Sequence, residues 1–257
     1  MLPQFLNIKK NYELIRFGKD NDGGYLIEKN SIFDSEILIS AGISWDFSFE
    51  EDYLINVKKK IFCYDHTLNF RYYFITWILI LLFRILKFSN FSKIKSAFNN
   101  MLKPFKLKNF FKKKEVKYFS LGIGLKNEKI IELNEIISNH RDINKIFLKI
   151  DIERDEYRVL DDIIKFQDKI NGLVIEFHDS DLNIDKIVSF VKKFKCELVH
   201  IHPNNSGPIG KNYIPSILEF SFAKNPNAIG NRIEIKHKLD QPNIKGKEDI
   251  ELKFENK

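Results

Sequence analysis

The side chains best suited to chemistry stand at the ends of short apolar runs. Asp151 and Glu153 follow IFLKI at 146–150. Glu176 and His178 close GLVIEFH at 172–178, and His200, His202, Asn204 and Asn205 crowd into LVHIHPNN at 198–205. Strand alternation sets Glu176 and His178 on one face, and His200 and His202 on another. Carboxylates and imidazoles gathered this way act as general acid and base, or hold a divalent cation through oxygen and nitrogen. Asp151, His178 and His202 are the candidate catalytic groups, with Glu176 orienting them; the same four would ligate a metal. Asn204, Asn205 and Glu153 could meet substrate hydroxyls. A single histidine in an apolar strand is more often a core group, and His200 reads that way. Lys149 lies inside an apolar strand, where a buried charge needs a partner, and nearby carboxylates are the candidates.

A second constellation precedes this one. In LISAGISWDFSFEED at 38–52 a strand runs into Gly42, and a helix is expected to begin near Ser48. Glycine lets the backbone approach a ligand closely. No GxGxxG is present, so a pyrophosphate has no glycine cradle, which argues against a nicotinamide dinucleotide. Asp65 ends the run KIFCY about twenty residues on, where a carboxylate can accept both hydroxyls of a ribose. Together Gly42 and Asp65 describe a nucleoside cleft without a diphosphate, which is the shape of S-adenosylmethionine. Alone, each is equally an ordinary turn glycine or a capping aspartate.

These groups need a frame that brings strand ends together. Strand-like runs occur at 36–41, 60–64, 116–120, 146–151, 172–178, 197–202 and 216–223, with helical patterns over 48–58, 128–138, 154–168 and 184–194. Such alternation argues for an α/β doubly wound sheet, with ligands at the carboxyl ends of its strands. The chain has 257 residues, 44% hydrophobic and 30% charged, which excludes a disordered chain and a polytopic membrane protein. Two cysteines, Cys63 and Cys196, make no disulfide framework, and the N-terminal residues contain no apolar stretch of signal-peptide length. Both points suggest a cytoplasmic protein.

The alternation breaks over 71–117. Residues 72–83 are an apolar run of 12, short of the ~20 that span a bilayer. Beyond Arg84, Phe88, Phe91, Ile94, Phe98, Met101, Leu102 and Phe105 recur at helical spacing among lysines, a basic amphipathic helix that Pro104 is expected to break. Arg84 and ten Lys face only Glu115 between residues 84 and 117, so this segment carries +10 of a net +7. The basic charge therefore belongs to one element. Its aromatics lie on a single stripe, which favours a lid, an interface or a peripheral membrane contact through 72–112 over nucleic acid. Residues 225–257 read as a charged, poorly ordered tail with one edge strand at 232–237.

Several motifs in this order resemble the FkbM-like S-adenosylmethionine-dependent methyltransferases. They are RFGKDNDGGYLI at 16–27, SAGISWDFSFE at 40–50, CYDHT at 63–67, FLKIDIERDEY at 147–157, IEFH at 175–178, HIHPNN at 200–205 and IPSILEFSF at 214–222. The resemblance implies a class I methyltransferase (Rossmann-like) fold over residues 1–224: a seven-stranded, mostly parallel sheet with an antiparallel last strand, interrupted by the helical insertion. It assigns S-adenosylmethionine contacts to Gly42, Asp46, Glu50, Asp65 and His66, with Asp22, Gly23, Gly24 and Tyr25 beside them. It implies a bacterial enzyme that methylates hydroxyls of sugars or glycan precursors, working in the cytoplasm or at the inner face of its membrane. An RNA methyltransferase and a non-catalytic binding protein are the alternatives. Two departures stand out: Asp46 replaces a common second glycine, and Arg154 replaces the glycine of LKIDIEG.

Overall fold

Each of the apolar runs becomes a strand of one sheet. The computed structural model describes residues 1–232 and 234–255. In chain order its elements are β1 (Lys10–Tyr12), β2 (Leu14–Phe17), β3 (Tyr25–Glu28), α1 (Lys29–Phe33), β4 (Ile37–Ala41), α2 (Ser48–Asn56), β5 (Lys60–Tyr64), α3 (Phe70–Leu86), α4 (Phe91–Phe111), β6 (Val116–Phe119), β7 (Gly122–Ile123), β8 (Ile130–Ile131), α5 (Leu133–Ser138), β9 (Ile146–Ile150), α6 (Glu156–Lys165), β10 (Ile170–His178), α7 (Ile184–Lys193), β11 (Glu197–Pro203), β12 (Ile217–Ala223) and β13 (Ala228–Asn231). The helix expected over 128–138 occupies only its second half, because β7 and β8 pair first.

The main sheet has the order β6-β5-β4-β9-β10-β12-β11. β12 runs antiparallel to both neighbours, and the other pairs are parallel. This is the strand order of the class I methyltransferase fold. Alternation sorts each strand between two cores. Ile37, Ile39 and Ala41 pack with Ile136, Ile163 and Ile187 of α5, α6 and α7. Leu38 and Phe147 face the other way, toward Ile32, Tyr53 and Phe110 of α1, α2 and α4. Burial of each such side chain contributes ~1.5–3 kcal/mol, so a one-residue slip of any strand would lose several of these at once. The chain builds outward from β4 through β5 to β6, then returns to β9 on the other side of β4. The ends of β4 and β9 therefore flank the switch point where such sheets bind ligands.

Two expectations are corrected. Pro104 does not break the amphipathic helix: α4 is continuous from Phe91 to Phe111, with Pro104 buried. Proline removes one backbone hydrogen bond, but Leu107 and Phe110 beyond it are buried in the core, and that packing holds the helix through the defect. The C-terminal segment is charged but not loose. Its strand is β13, antiparallel to β1, rather than 232–237, of which Ile233 lies outside the described residues. Leu252 is buried against the main core, and Phe254 packs beside it.

Candidate active site

Gly42 leaves β4 in the left-handed region, at φ 78°. A Cβ there would collide with the main-chain carbonyl of Asp151, so the two loops that end β4 and β9 touch through backbone alone. Asp65 is buried at the end of β5. Its Oδ2 accepts from the Ser44 amide at 2.8 Å, and its Oδ1 accepts from the amide and hydroxyl of Thr67 at 2.7 and 2.6 Å. Oδ1 is saturated by its two donors and Oδ2 keeps lone-pair capacity, and Asp65 lines a cavity of about 400 Å³ together with Gly42, Ser44, His66, Gly122 and Asp151. His66 lies against Gly122, where a Cβ would come 2.5 Å from its Nδ1. Trp45, in the loop after Gly42, stacks on Tyr73 of α3 at 3.9 Å.

The DGGY turn flanks this loop. Gly23 has φ 87° and packs where a Cβ would press on the Asp46 carboxylate. Burial alone would raise the Asp46 pKa, but its ion pair with Lys19 holds it below the ordinary value. Gly24 gives its carbonyl to Arg16 Nη1 at 2.9 Å, while Asp22 is exposed. The Tyr25 hydroxyl donates to Asp151 Oδ2 at 3.3 Å. Glu50, assigned to the cofactor by resemblance, does not reach the cavity. It is fully buried, bonded to the Ser40 hydroxyl and 3.5 Å from Lys149 Nζ. It is the partner that Lys149 required, in place of the carboxylates that follow that strand, and Lys149 also donates to the Gly42 carbonyl at 3.3 Å.

At the end of β9 the structure gathers Asp151, Glu153 and His178, each with one ligand atom within 4.8 Å of the others. His178 Nδ1 lies 2.8 Å from Glu156 Oε1. An ionised carboxylate only accepts, so Nδ1 carries the proton and Nε2 is left as the acceptor. Nε2 is 3.4 Å from both Glu153 and Glu176. Burial would lower the His178 pKa, but Glu156, Asp151 and Glu153 together raise it. Burial, then Asp151 and Glu219, push Glu176 well above the ordinary carboxylate range. Asp151 is also raised, by burial, against the pull of Lys149 and His178.

His202 and Asn205 do not join this group. β12 lies between β10 and β11, placing Glu219 opposite both Glu176 and His202. His202 instead sits 3.6 Å from Asp240 of the C-terminal segment, and His200 2.9 Å from the same oxygen. Burial works against ionisation of Asp240, yet His200 and His202 hold its pKa at about 2. His202 also borders a separate cavity of about 530 Å³ between β11 and that segment. The Asn205 amide donates to the carbonyls of Lys247 and Glu248, and its oxygen accepts from the Ile244 amide at 2.7 Å, which takes it from any substrate. Asn204 does reach the cluster, 3.4 Å from Glu176. Glu219 and Glu156 were missed. Glu219 carried a readable signal, an acid inside the apolar run SILEFSFA. Glu156 had none beyond its place in a first helical turn.

No family model matches the sequence, and no curated protein matches it. Among solved structures it is similar to the methyltransferase domain of METTL16 (6% identity, TM-score 0.42, 76% of this chain and 64% of that one). It is also similar to precorrin-6y C5,15-methyltransferase from Geobacter metallireducens (10% identity, TM-score 0.33, 74% and 81%) and to a human methyltransferase 10 domain containing protein (7% identity, TM-score 0.37, 74% and 72%). The chain thus spans less than two thirds of the METTL16 domain.

Proposed function

We propose that this chain is an S-adenosylmethionine-dependent methyltransferase whose acceptor is a hydroxyl of a sugar or glycan precursor. The observation that carries the first part is the cleft itself: Asp65 at the end of β5 faces the collision-tight Gly42 turn across a cavity of about 400 Å³. The residues fit the cofactor. Asp65 Oδ2 has acceptor capacity for a ribose hydroxyl, His66 and Gly122 wall the cavity nearby, and Asp46 with the DGGY turn would hold the methionine end. Bound there, the cofactor supplies an electrophilic methyl group.

This chain's own residues then orient the acceptor and take its proton. His178 Nε2 is the base, held in that tautomer by Glu156. Asp151, fixed by the Tyr25 hydroxyl, and Glu153 position the acceptor oxygen. Catalysis is largely alignment, with proton removal by a base whose pKa lies near the working pH. The acceptor class rests on the FkbM-like motifs. Asp151, Glu153 and His178 would also suit a divalent cation, and a chelator that abolished turnover would favour that role over simple base chemistry. The test of the cofactor is calorimetric titration with S-adenosylhomocysteine. Micromolar binding, on the order of −8 kcal/mol, that is lost in Asp65→Ala supports the reading; no binding to wild type refutes it. The acceptor is then sought by methyl transfer to sugar nucleotides and glycan precursors.

A further inference from the structure

The α3–α4 hairpin is anchored at one end and bare at the other. At its base Tyr73 stacks on Trp45, and Leu107 and Phe110 enter the core. Around the turn that joins the helices nothing among the described residues covers the apolar side chains. Leu86 is 77% exposed, Phe88 94% and Phe91 79%. Leu79 and Leu82 are exposed on the preceding turns, and no residue of α3 is buried. A contiguous apolar surface of this kind marks an interaction site.

The charge around it narrows the partner. Arg84, Lys87, Lys93 and Lys95 surround the tip, with Lys87 Nζ 5.0 Å from the Phe83 ring centroid, and no acid lies between 84 and 114. A second copy of this chain would oppose the same positive charge to itself. RNA offers phosphates but no apolar phase for leucines. A bilayer surface bearing anionic lipid offers both, and long lysine stems let the charge stay among headgroups while the rings go deeper. The contact is shallow: among the described residues no helix is long and apolar enough to cross a membrane.

We propose that the hairpin tip, residues 79–95, docks into the headgroup region of an anionic bilayer. With 17 residues, α3 extends roughly 25 Å, so the loop after Gly42 stands about one helix length from the lipid. This docking does not depend on the methyltransferase reading.

The test is sedimentation of the full chain with phosphatidylcholine vesicles, with and without phosphatidylglycerol, at low and high salt. The expected result is binding that requires phosphatidylglycerol and weakens with salt. Phe88→Asp with Phe91→Asp should lose roughly tenfold or more, because two inserted rings are removed. Lys87→Gln and Lys93→Gln should each lose roughly fivefold. All these residues are exposed, so the variants should melt with the wild type. The proposal is overturned if wild type ignores anionic vesicles, or if the Phe88→Asp, Phe91→Asp variant binds them unchanged. It is equally overturned if vesicles are not bound while RNA is, or while a dimer forms through this tip.

Discussion

The Glu50–Lys149 pair supports the cleft from beneath, and its removal has a calculable cost. Glu50 is fully buried and the Lys149 side chain 5% exposed, 3.5 Å apart. In Glu50→Gln the ammonium stays buried without a counter-charge. Breaking one side of such a pair costs about 3–5 kcal/mol. At about 2–4 °C per kcal/mol for a chain of this size, the midpoint should fall by roughly 6–20 °C in a thermal melt at pH 7. A second variant separates this from a packing defect. Glu50→Gln with Lys149→Met leaves no buried charge and keeps an acceptor for Ser40, so it should recover at least half of the loss. The pH dependence adds a third arm. In wild type, burial lowers the Lys149 pKa but Glu50, Asp151 and Asp46 outweigh it and leave it raised. Without Glu50 the largest raising influence is gone, and burial should bring the folded value below the unfolded one despite Asp151 and Asp46. Between those two values the unfolded chain binds more protons, so stability rises with pH, and the deficit should shrink from pH 7 to pH 10. The reasoning fails if Glu50→Gln melts within about 3 °C of wild type, or if the double variant is no more stable than the single one.

Three further outcomes follow from the site. His178 has a folded pKa raised by Glu156, so that contact stabilises fully below the unfolded value of ~6.5 and fades as pH rises through the folded one. Glu156→Gln should therefore cost more at pH 6 than at pH 9 in denaturant melts. It should also move the rising limb of the methyl-transfer rate to lower pH; an unmoved limb would remove His178 as the base. Glu219 is pushed up to about 8 by burial, so stability should fall as pH rises from about 4.5 to about 8. Glu219→Gln should flatten that slope, stabilising at pH 8 and not at pH 4, and an unchanged slope would contradict the assignment. Asn205→Ala should free the segment it holds at 244–248, at a cost of about 1–3 kcal/mol. Limited proteolysis reads this as new cleavage in residues 240–255, and wild-type resistance would count against it.

Arg154 shows how a sequence departure becomes physical. It takes φ 84°, beside Glu153 at 52°, both in the region that favours glycine. The turn after β9 keeps a glycine's shape without the glycine, at a cost on the order of 1–3 kcal/mol per residue. The Arg154 side chain meets Asp179 at 2.6 Å. Since that pair is largely exposed, it offsets little of the cost. The strain sits in the loop that presents Asp151 and Glu153, where the surrounding structure must hold these two carboxylates in place.

Read by itself, the sequence determined the seven strands of the main sheet, most helices and the pairing of Gly42 with Asp65, but not the short strands β1, β2, β3, β7 and β8. Those features depend on period-two and helical alternation and on residues next to strand ends, all of which are local. It also placed Glu176 and His178 on one face and required a partner for Lys149. Only the tertiary structure decided which partner that was, because Glu50 lies on a helix about a hundred residues away in the chain, where spacing carries no information. Only the tertiary structure put β12 between β10 and β11, which brought in Glu219 and turned His202 toward Asp240. Strand order is set by which apolar faces pack together and by crossover handedness, and neither is written in any single strand. The same holds for the C-terminal segment and the α3–α4 hairpin. Their charge was legible, but whether a charged segment packs or stands free depends on the surface it meets.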